Sequence, residues 1–250
     1  MATRSFRDRL RARELLIGPM ITLSSPEVVQ LMAGIGFDWL FIDTEHTPIE
    51  PPQVRSLLQA AESTPCLVRL PSSDSTPIAK ALDLGADGII VPQVNSADQA
   101  RHIVEQSRYA PVGRRGRGLG RAHRYGLKLA EYSETANDTV CVVVQAEHTD
   151  AVRNIESILD VQGVDAVLVG PYDLASSLGH IGDVNHPNVR AAIERVGAAC
   201  LQRGIPVGMV GVSAEAVRPY IDKGFSLILV GIDVFLLGDA AKALLKETRG

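Results

Sequence analysis

The chain has 250 residues, of which 46% are hydrophobic and 22% are charged, enough apolar material for one globular core without disulfide bonds. The formal net charge of −4 gives no global attraction to nucleic acid or to an anionic membrane surface, so we expect neither as a partner. Three cysteines in apolar surroundings, an N-terminal segment without an apolar core and the absence of a run of membrane-spanning length predict a cytoplasmic protein with reduced thiols.

Short apolar runs and amphipathic segments alternate along the chain. The apolar runs predict strands at residues 16–22, 39–45, 66–70, 88–93, 140–147, 166–170, 206–210 and 227–231. Residues at helical spacing lie between them, for example Val54, Leu57 and Leu58. This alternation predicts an α/β fold, a single (β/α)8 TIM barrel over residues 1–250. A doubly wound sheet usually carries a glycine-rich phosphate loop after its first strand, and this chain has SSPE there.

One connection, residues 110–138 between the fourth and fifth predicted strands, is unusually long. Loops of this length inside a compact domain are usually functional or disordered. It carries arginines at positions 114, 115, 117, 121 and 124. The acidic net charge and the lack of interleaved aromatic residues disfavour an RNA-binding patch. We expect the loop to lie over or beside the catalytic face, where an arginine binds an anionic substrate; a solvated loop for solubility or subunit contact is the alternative.

Polar residues replace the apolar run abruptly at three predicted strand ends. The segments are IDTEH (42–46), VQAE (144–147) and VGPYD (169–173). In a barrel of strand–helix units, the carboxyl ends of the strands converge on the face that carries the active site. Carboxylates that reach this face from different strands suit a hard divalent cation, which prefers oxygen ligands. The sequence therefore predicts metal-dependent chemistry at this face.

The individual polar residues also have simpler interpretations. Alternation along the fifth strand places Gln145 on the same side as Glu147, but Glu147 also fits a surface ion pair at a strand end. Asp173 also fits the N-cap of the following helix. Arg69 lies in the apolar run CLVRL, where a buried guanidinium needs a charged partner, and a carboxylate of IDTEH would supply one.

Seven motifs occur in a characteristic order: IDTEH, VRLPSSD, LDLGADGIIVPQV, RYAPVGRRG, VQAE, VGPYDLA and VGID. With them the chain resembles the 4-hydroxy-2-oxoheptanedioate aldolases, the HpcH/HpaI family of class II pyruvate aldolases, over nearly its whole length. The resemblance implies a barrel with an N-terminal helix, and a C-terminal helix exchanged between subunits of a homo-hexamer, a trimer of dimers. It also implies a Mg²⁺, Mn²⁺ or Co²⁺ ion and reversible cleavage of a 4-hydroxy-2-oxoacid to pyruvate and an aldehyde.

The resemblance further implies roles for residues of these motifs. Glu147 and Asp173 match the metal-ligating carboxylates. Arg69 matches the arginine that stabilises the enolate oxygen of pyruvate. His46 matches the catalytic base that removes the proton of the C4 hydroxyl, and Asp43 matches the carboxylate held beside it.

Other positions are expected to complete the site. Asp83 matches an acidic residue that reaches across the subunit boundary to the neighbouring active site. Gln145 is expected to contact the substrate, and the backbone amides around Tyr172 and Asp173 resemble those that hold the carboxylate of pyruvate. Glu45 is expected to accept a hydrogen bond next to these groups.

The chain departs from the family pattern at two of the strand ends. Tyr172 stands where many members carry a small residue, and Ala146-Glu147-His148 stands where they have Ile-Glu-Thr or Ile-Glu-Ser. Alternation turns His148 away from Glu147, so we expect it to support the site rather than bind metal. These changes leave the aldehyde open. The alternatives are an oxaloacetate decarboxylase, a CoA-ester carbon–carbon lyase of the same superfamily, or a barrel that binds acidic metabolites without turnover.

Overall fold

A computed structural model describes residues 4–250 as a closed barrel of parallel strands, in which each strand pairs with its sequence neighbours and the last returns to the first. The strands are β1 (Leu16–Ile21), β2 (Leu40–Asp43), β3 (Cys66–Arg69), β4 (Gly88–Val91), β5 (Cys141–Ala146), β6 (Ala166–Val169), β7 (Val207–Gly211) and β8 (Leu227–Ile232). Each overlaps one of the predicted runs, so the predicted (β/α)8 barrel is confirmed. Residues 1–3 of the predicted 1–250 domain lie outside the described residues.

Helices connect the strands and surround the barrel. They are α1 (Phe6–Arg11), α2 (Pro26–Ile35), α3 (Pro51–Ala60), α4 (Ser75–Asp83), α5 (Ala97–Ser107), α6 (Leu129–Thr139), α7 (Thr149–Arg153), α8 (Ile155–Leu159), α9 (Pro171–Ser177), α10 (Pro187–Gln202), α11 (Ala214–Ile221) and α12 (Asp233–Arg249), with a 3₁₀ helix at Arg121–Gly126. The connections after β4, β5 and β6 each contain two α-helices, which were predicted as one. Within residues 4–250, no helix is both long and apolar enough to cross a membrane.

The strands place alternate side chains inside and outside the barrel. Phe41, Leu67 and Val143 belong to an apolar cluster that fills the interior. Their neighbours Ile42 and Val68 belong to the larger cluster between the strands and the surrounding helices. Because the interior is packed with apolar side chains, it is a core rather than a channel.

The predicted N-terminal helix, α1, closes the amino-terminal end of the barrel. Phe6 and Leu10 of α1 join the interior cluster, and the ring of Phe6 lies 6.1 Å from the ring of Trp39. The apolar face of this short helix therefore completes the core at the end opposite to the carboxyl ends of the strands.

A buried ion network lies at the same end. The carboxylate of Asp165 accepts hydrogen bonds from Arg7 at 2.7 Å, Arg11 at 3.0 Å, Arg108 at 3.2 Å and the backbone N–H of Val142 at 2.9 Å. Burial and the positive charge of Arg7 lower the pKa of Arg108, whereas Asp165 opposes that shift. Asp165 therefore holds α1 and the segment after α5 against the start of β5 and β6.

The long connection before β5 also lies at the amino-terminal end of the barrel. Arg121 donates to the carbonyl oxygens of Leu84 at 3.0 Å and Leu58 at 3.1 Å, near the ends of α4 and α3. Arg115 donates to Asp83 at 2.9 Å. The prediction that this loop lies beside the catalytic face was wrong, because a connection from a helix to the next strand returns to the amino-terminal face. Three of its arginines bind groups of this chain, since Arg114 also lies 3.5 Å from Glu105.

Candidate active site

Three polar residues continue the interior alternation at the carboxyl ends of the strands. Asp43, Arg69 and Gln145 each follow an interior apolar residue by two positions, on β2, β3 and β5. They are 1%, 6% and 2% exposed. All three line a cavity of about 410 Å³ at this end of the barrel. The apolar core is thus capped by a buried polar layer, as the sequence predicted for the strand ends.

The remaining walls of this cavity, which we call the active-site cavity, differ in character from the polar layer. Asp173 and His46 also line it. The ends of β1, β7 and β8 and the first turn of α12 contribute mainly apolar side chains, among them Met20, Val210, Val212, Ile232, Val234 and Phe235. The cavity therefore combines a charged region with an apolar wall that suits the carbon chain of a small acid.

Arg69 is held in one orientation by carboxylates. Its Nε and Nη2 donate to the two oxygens of Asp43 at 2.8 Å each, and its Nη1 lies 3.2 Å from Glu45 Oε2. Its guanidinium lies over the ring of Phe41 at 5.2 Å. Burial opposes the charged guanidinium, but the hydrogen bonds and charge of Asp43 outweigh it and raise the pKa of Arg69. A carboxylate of IDTEH thus supplies the expected partner.

His46 lies at the mouth of the cavity, with 63% of its side chain exposed. Its Nε2 is 3.6 Å from Glu45 Oε2, whereas Asp43 is bonded to Arg69 and to the backbone N–H of Glu45. Within residues 4–250, no hydrogen bond joins His46 to Asp43, because Asp43 points into the barrel and His46 belongs to the loop beyond the strand. Burial raises the pKa of Glu45, while the charges of Arg69 and His46 lower it.

Glu147 follows β5 directly and is 2% exposed. Its Oε1 accepts a hydrogen bond from the backbone N–H of Gln93 at 2.8 Å, and its Oε2 accepts one from Nε2 of Gln145. Burial, together with the nearby negative charge of Asp173, raises the pKa of Glu147 to about 7, although the hydrogen bond from Gln93 opposes the shift. The contact of Gln93 with Glu147 was not predicted from the sequence, because the backbone of Gln93 has φ 54°, a left-handed conformation that no sequence signal indicates.

Gly170 was also missed, although alternation along β6 points to it. Gly170 follows the interior residue Leu168 by two positions, so a side chain at position 170 would face the polar layer. A Cβ atom at this position would lie 2.7 Å from Glu147 Oε2 and 2.9 Å from Gln145 Nε2. Glycine is therefore needed for the close approach of these two side chains to β6.

Asp173 lies in the first turn of α9 and is exposed. The N-cap of α9 is Gly170, and the carboxylate of Asp173 makes no hydrogen bond to any residue of the 4–250 range, so it does not serve as the helix cap. Its negative charge acts on both Glu147 and Glu45, which places it beside the buried carboxylates. Both of its oxygens are available to a ligand.

The donor set at the cavity fits a hard divalent cation. In the described part of the chain, no group of three or more His, Cys, Asp or Glu side chains is arranged to hold a metal ion. However, one or two carboxylates, completed by water and substrate oxygens, are usual for Mg²⁺. Glu147 is buried among other carboxylates, and the buried Oε1 of Gln145 has no hydrogen-bond partner. The carboxylate oxygens of Glu147 and Asp173 therefore fit the ligand preference of such an ion.

Two of the singled-out residues lie away from the cavity. Asp83 ends α4 near the amino-terminal face and binds Arg115, so it does not reach the cavity of its own barrel. His148 caps α7, and its Nδ1 accepts a hydrogen bond from the backbone N–H of Asp150 at 3.1 Å. His148 therefore stabilises the start of α7, and its expected support of the site stays a prediction.

Comparisons with known proteins place this site in a family. The model of the HpcH/HpaI aldolase/citrate lyase family matches residues 17–240. A 4-hydroxy-2-oxo-heptane-1,7-dioate aldolase of Shigella sonnei is 41% identical over 244 residues, which are 96% of this chain and 93% of the relative.

Solved structures give the same result. An HpcH/HpaI aldolase/citrate lyase family protein from Burkholderia cenocepacia superposes with a TM-score of 0.95 at 38% identity, covering 99% of this chain and 100% of that chain. An HpcH/HpaI aldolase from Desulfitobacterium hafniense has a TM-score of 0.92 at 32% identity, over 99% of this chain and 97% of that one. The resemblance noted in the motifs is thus confirmed by sequence and fold, and the chain is an enzyme that belongs to the HpcH/HpaI aldolase/citrate lyase family.

Proposed function

We propose that this protein is a class II pyruvate aldolase, a carbon–carbon lyase that reversibly cleaves a 4-hydroxy-2-oxoacid into pyruvate and an aldehyde. The observation that carries this proposal is the arrangement of Arg69, Gln145 and Asp173 around one cavity, with the buried carboxylate of Glu147 directly behind Gln145, from which it accepts a hydrogen bond. This arrangement brings a fixed cation and a set of carboxylate oxygens to one end of the barrel. The relative from Shigella sonnei, named for such an aldolase, supports the assignment.

We assign Glu147 and Asp173 as the ligands of a divalent cation, Mg²⁺, Mn²⁺ or Co²⁺. When bound, such an ion supplies a Lewis acid for the oxygens of the 2-oxoacid. The hydrogen bonds from Gln93 and Gln145 fix the orientation of Glu147 before any ligand arrives. Such support of a ligand side chain typically changes metal affinity by about 10- to 100-fold.

Arg69 is assigned to the negative charge that develops on the substrate. Cleavage of the C3–C4 bond leaves an electron pair that spreads onto the C2 oxygen of pyruvate as an enolate. A guanidinium fixed by Asp43 at 2.8 Å needs little reorganisation when that charge appears. Gln145 and the backbone amides of Tyr172 and Asp173 are assigned to the substrate, the amides to the pyruvate carboxylate.

His46 is assigned as the general base. An imidazole is suited to proton transfer near neutral pH, and His46 lies at the cavity mouth, where the C4 hydroxyl of an extended substrate would lie. The ring nitrogen that does not face Glu45, Nδ1, would accept the hydroxyl proton. Glu45, with Oε2 at 3.6 Å, would stabilise the imidazolium that results, so we give Glu45 the partner role first expected for Asp43.

We further propose the homo-hexamer, a trimer of dimers with α12 exchanged between neighbours. Large apolar side chains of α12 are exposed in the single chain: Phe235 at 53%, Leu237 at 64%, Leu244 at 67% and Leu245 at 50%. A helix with this much exposed apolar surface is expected to pack against another subunit. Asp83, which does not reach its own cavity, is then assigned to the site of a neighbour.

The function is tested by pyruvate release. The purified enzyme would be treated with a chelator, supplied again with Mg²⁺, Mn²⁺ or Co²⁺, and assayed with 4-hydroxy-2-oxoacids of different chain length. Glu147→Gln and Asp173→Asn are expected to lose metal-restored activity with little change in fold, whereas Glu134→Gln, on the exposed face of α6, serves as the matched control.

Other outcomes would contradict the proposal. Full activity of Glu147→Gln or Asp173→Asn after chelation and metal addition would remove the metal assignment. Pyruvate release from oxaloacetate but from no 4-hydroxy-2-oxoacid would favour the decarboxylase, and cleavage of a malyl-type thioester would favour the CoA-ester lyase. Binding of 2-oxoacids without any turnover would leave a non-catalytic barrel.

A further inference from the structure

A second cavity adjoins the active-site cavity. It has a volume of about 510 Å³ and lies between α10 and α11, on the helix side of β7. Pro171, Tyr172, Val210 and Gly211 line both cavities. The end of β7 contributes Val210 and Gly211 to this shared boundary, and Tyr172 contributes the largest side chain, so the ring of Tyr172 is the part of the boundary that a substitution can remove.

The ring of Tyr172 is not fixed by polar contacts. The residue is 44% exposed, and its phenol oxygen makes no hydrogen bond to any residue between positions 4 and 250. It lies in the first turn of α9, next to Asp173. Its side chain is therefore replaceable without removing a hydrogen bond, while its backbone amide stays in place.

The second cavity suits an uncharged carbon chain. Its wall includes the apolar residues Val184, Met209, Pro219 and Tyr220. The charged residues at its edge balance, with Arg190 and Lys223 against Glu194 and Glu215, and Lys223 donates to Glu194 at 2.6 Å. A charged end group would have to compete with the Lys223–Glu194 pair, whereas an aliphatic tail would gain from burial.

We propose that Tyr172 limits the length of the aldehyde that this enzyme accepts, and that the cavity between α10 and α11 receives an uncharged aliphatic tail when the ring is removed. This inference rests on the proposed aldolase function. In the wild-type enzyme the space for the aldehyde ends at the ring, so short aldehydes are preferred. Without the ring, the neighbouring 510 Å³ more than doubles the 410 Å³ of the active-site cavity.

The test is the condensation of pyruvate with acetaldehyde and with hexanal, measured as kcat/KM for each aldehyde. For each variant, kcat/KM for hexanal is divided by kcat/KM for acetaldehyde, so that a general loss of activity cancels from the ratio. Tyr172→Ala is expected to raise this ratio at least about tenfold, because several methylene groups gain a buried site. Tyr172→Phe, which keeps the ring, is expected to keep the wild-type ratio.

A substitution in the second cavity distinguishes entry of the tail into that cavity from a general loosening of the active site. Ala216 lines only the second cavity and is exposed on α11. Ala216→Leu alone is expected to leave the ratio unchanged, because the ring already blocks that space. Added to Tyr172→Ala, it is expected to reverse most of the gain, because it fills the space that the tail would occupy.

Each remaining outcome decides the matter. An unchanged ratio in Tyr172→Ala, with condensation of acetaldehyde still measurable, would overturn the proposed role of Tyr172 and leave the aldolase function intact. A gain that Ala216→Leu fails to reverse would show that the tail does not enter the second cavity, and would overturn that role too. If the wild-type enzyme joined no aldehyde to pyruvate, the proposed aldolase function would be refuted, together with the role of Tyr172 that rests on it.

Discussion

Replacement of Gly170 by alanine would change the active site without removing any polar group from it. The backbone at Gly170 has φ −94° and ψ 93°, which an alanine adopts without strain. The added Cβ would meet Glu147 Oε2 at 2.7 Å and Gln145 Nε2 at 2.9 Å. Both atoms lie at the ends of flexible side chains, so we expect them to move, whereas the Cβ of Glu147, at 3.0 Å, is attached to the backbone after β5 and shifts less.

The size of the effect follows from these distances. Ordinary contact begins near 3.4 Å, so the Glu147 oxygen would have to shift by about 0.7 Å and the Gln145 nitrogen by about 0.5 Å, the differences from 2.7 and 2.9 Å. A displacement approaching 1 Å in a site that positions reacting groups can cost about 10²-fold in rate. Disturbing the support of a metal ligand lowers metal affinity by about 10- to 100-fold. For Gly170→Ala we therefore expect the catalytic rate to fall by about 10²-fold and the metal affinity by about 10- to 100-fold.

Isothermal titration with Mn²⁺ measures the affinity, pyruvate release at saturating metal measures kcat, and thermal unfolding measures stability. Gly34→Ala is the matched control, because Gly34 lies in α2 and a Cβ there would meet nothing within 4 Å. That variant should keep its metal affinity and gain about 0.5–1 kcal/mol of stability, since glycine destabilises a helix by that amount relative to alanine. A Gly170→Ala enzyme with wild-type metal affinity and kcat would refute the assigned role of Glu147.

Three further substitutions test separate parts of the structure. Arg69→Lys keeps the charge but loses the planar fork that Asp43 holds, so steady-state assays should show kcat for retro-aldol cleavage and for oxaloacetate decarboxylation falling together, by about 10²- to 10³-fold. His46→Ala should lower cleavage by about 10²- to 10⁴-fold in parallel assays, with decarboxylation largely retained, because oxaloacetate loses CO₂ without a hydroxyl proton to remove. Asp165→Asn leaves buried arginines uncompensated, so urea denaturation should show a loss of about 3–5 kcal/mol in the free energy of unfolding.

These tests have clear contrary results. A higher KM at unchanged kcat in Arg69→Lys would make the residue a substrate clamp rather than a stabiliser of the enolate. Equal loss of both activities in His46→Ala would mean that the imidazole maintains the site instead of acting as the base. A free energy of unfolding within about 1 kcal/mol of wild type in Asp165→Asn would show that the network behaves like a surface ion pair.

The residues carried by strands were predictable because two simple rules act together. Parallel strands place their carboxyl ends at one face, and side chains alternate between the two sides of each strand. These rules, applied to CLVRL and VQAE, bring Arg69 and Gln145 into one interior layer. They also identify Gly170 in retrospect, since it occupies the matching position on β6.

Residues in the loops beyond the strands were less predictable. Whether Asp43 or Glu45 faces His46 depends on the turn after β2, and that turn is set by the hydrogen bonds of Asp43 to Arg69 and to the N–H of Glu45. The left-handed backbone of Gln93 likewise depends on tertiary contacts. The arginine-rich loop joins a helix to the next strand, and such a connection returns to the amino-terminal face whatever its length, so its length alone does not predict where it lies.

The two ends of the barrel carry buried charge of opposite sign in excess. At the amino-terminal end, the arginines around Asp165 are in excess, and protein carbonyl groups accept their remaining hydrogens: Asn137 from Arg7 at 2.7 Å and Val140 from Arg108 at 3.0 Å. At the carboxyl end the excess is acidic, and burial raises the pKa of Glu147 to about 7 despite the hydrogen bond that it accepts from Gln93. Buried charge is costly unless it is balanced. The arginines at the amino-terminal end are balanced by groups of the protein itself and hold the fold together, whereas the excess of carboxylates at the other end is what the proposed cation would balance.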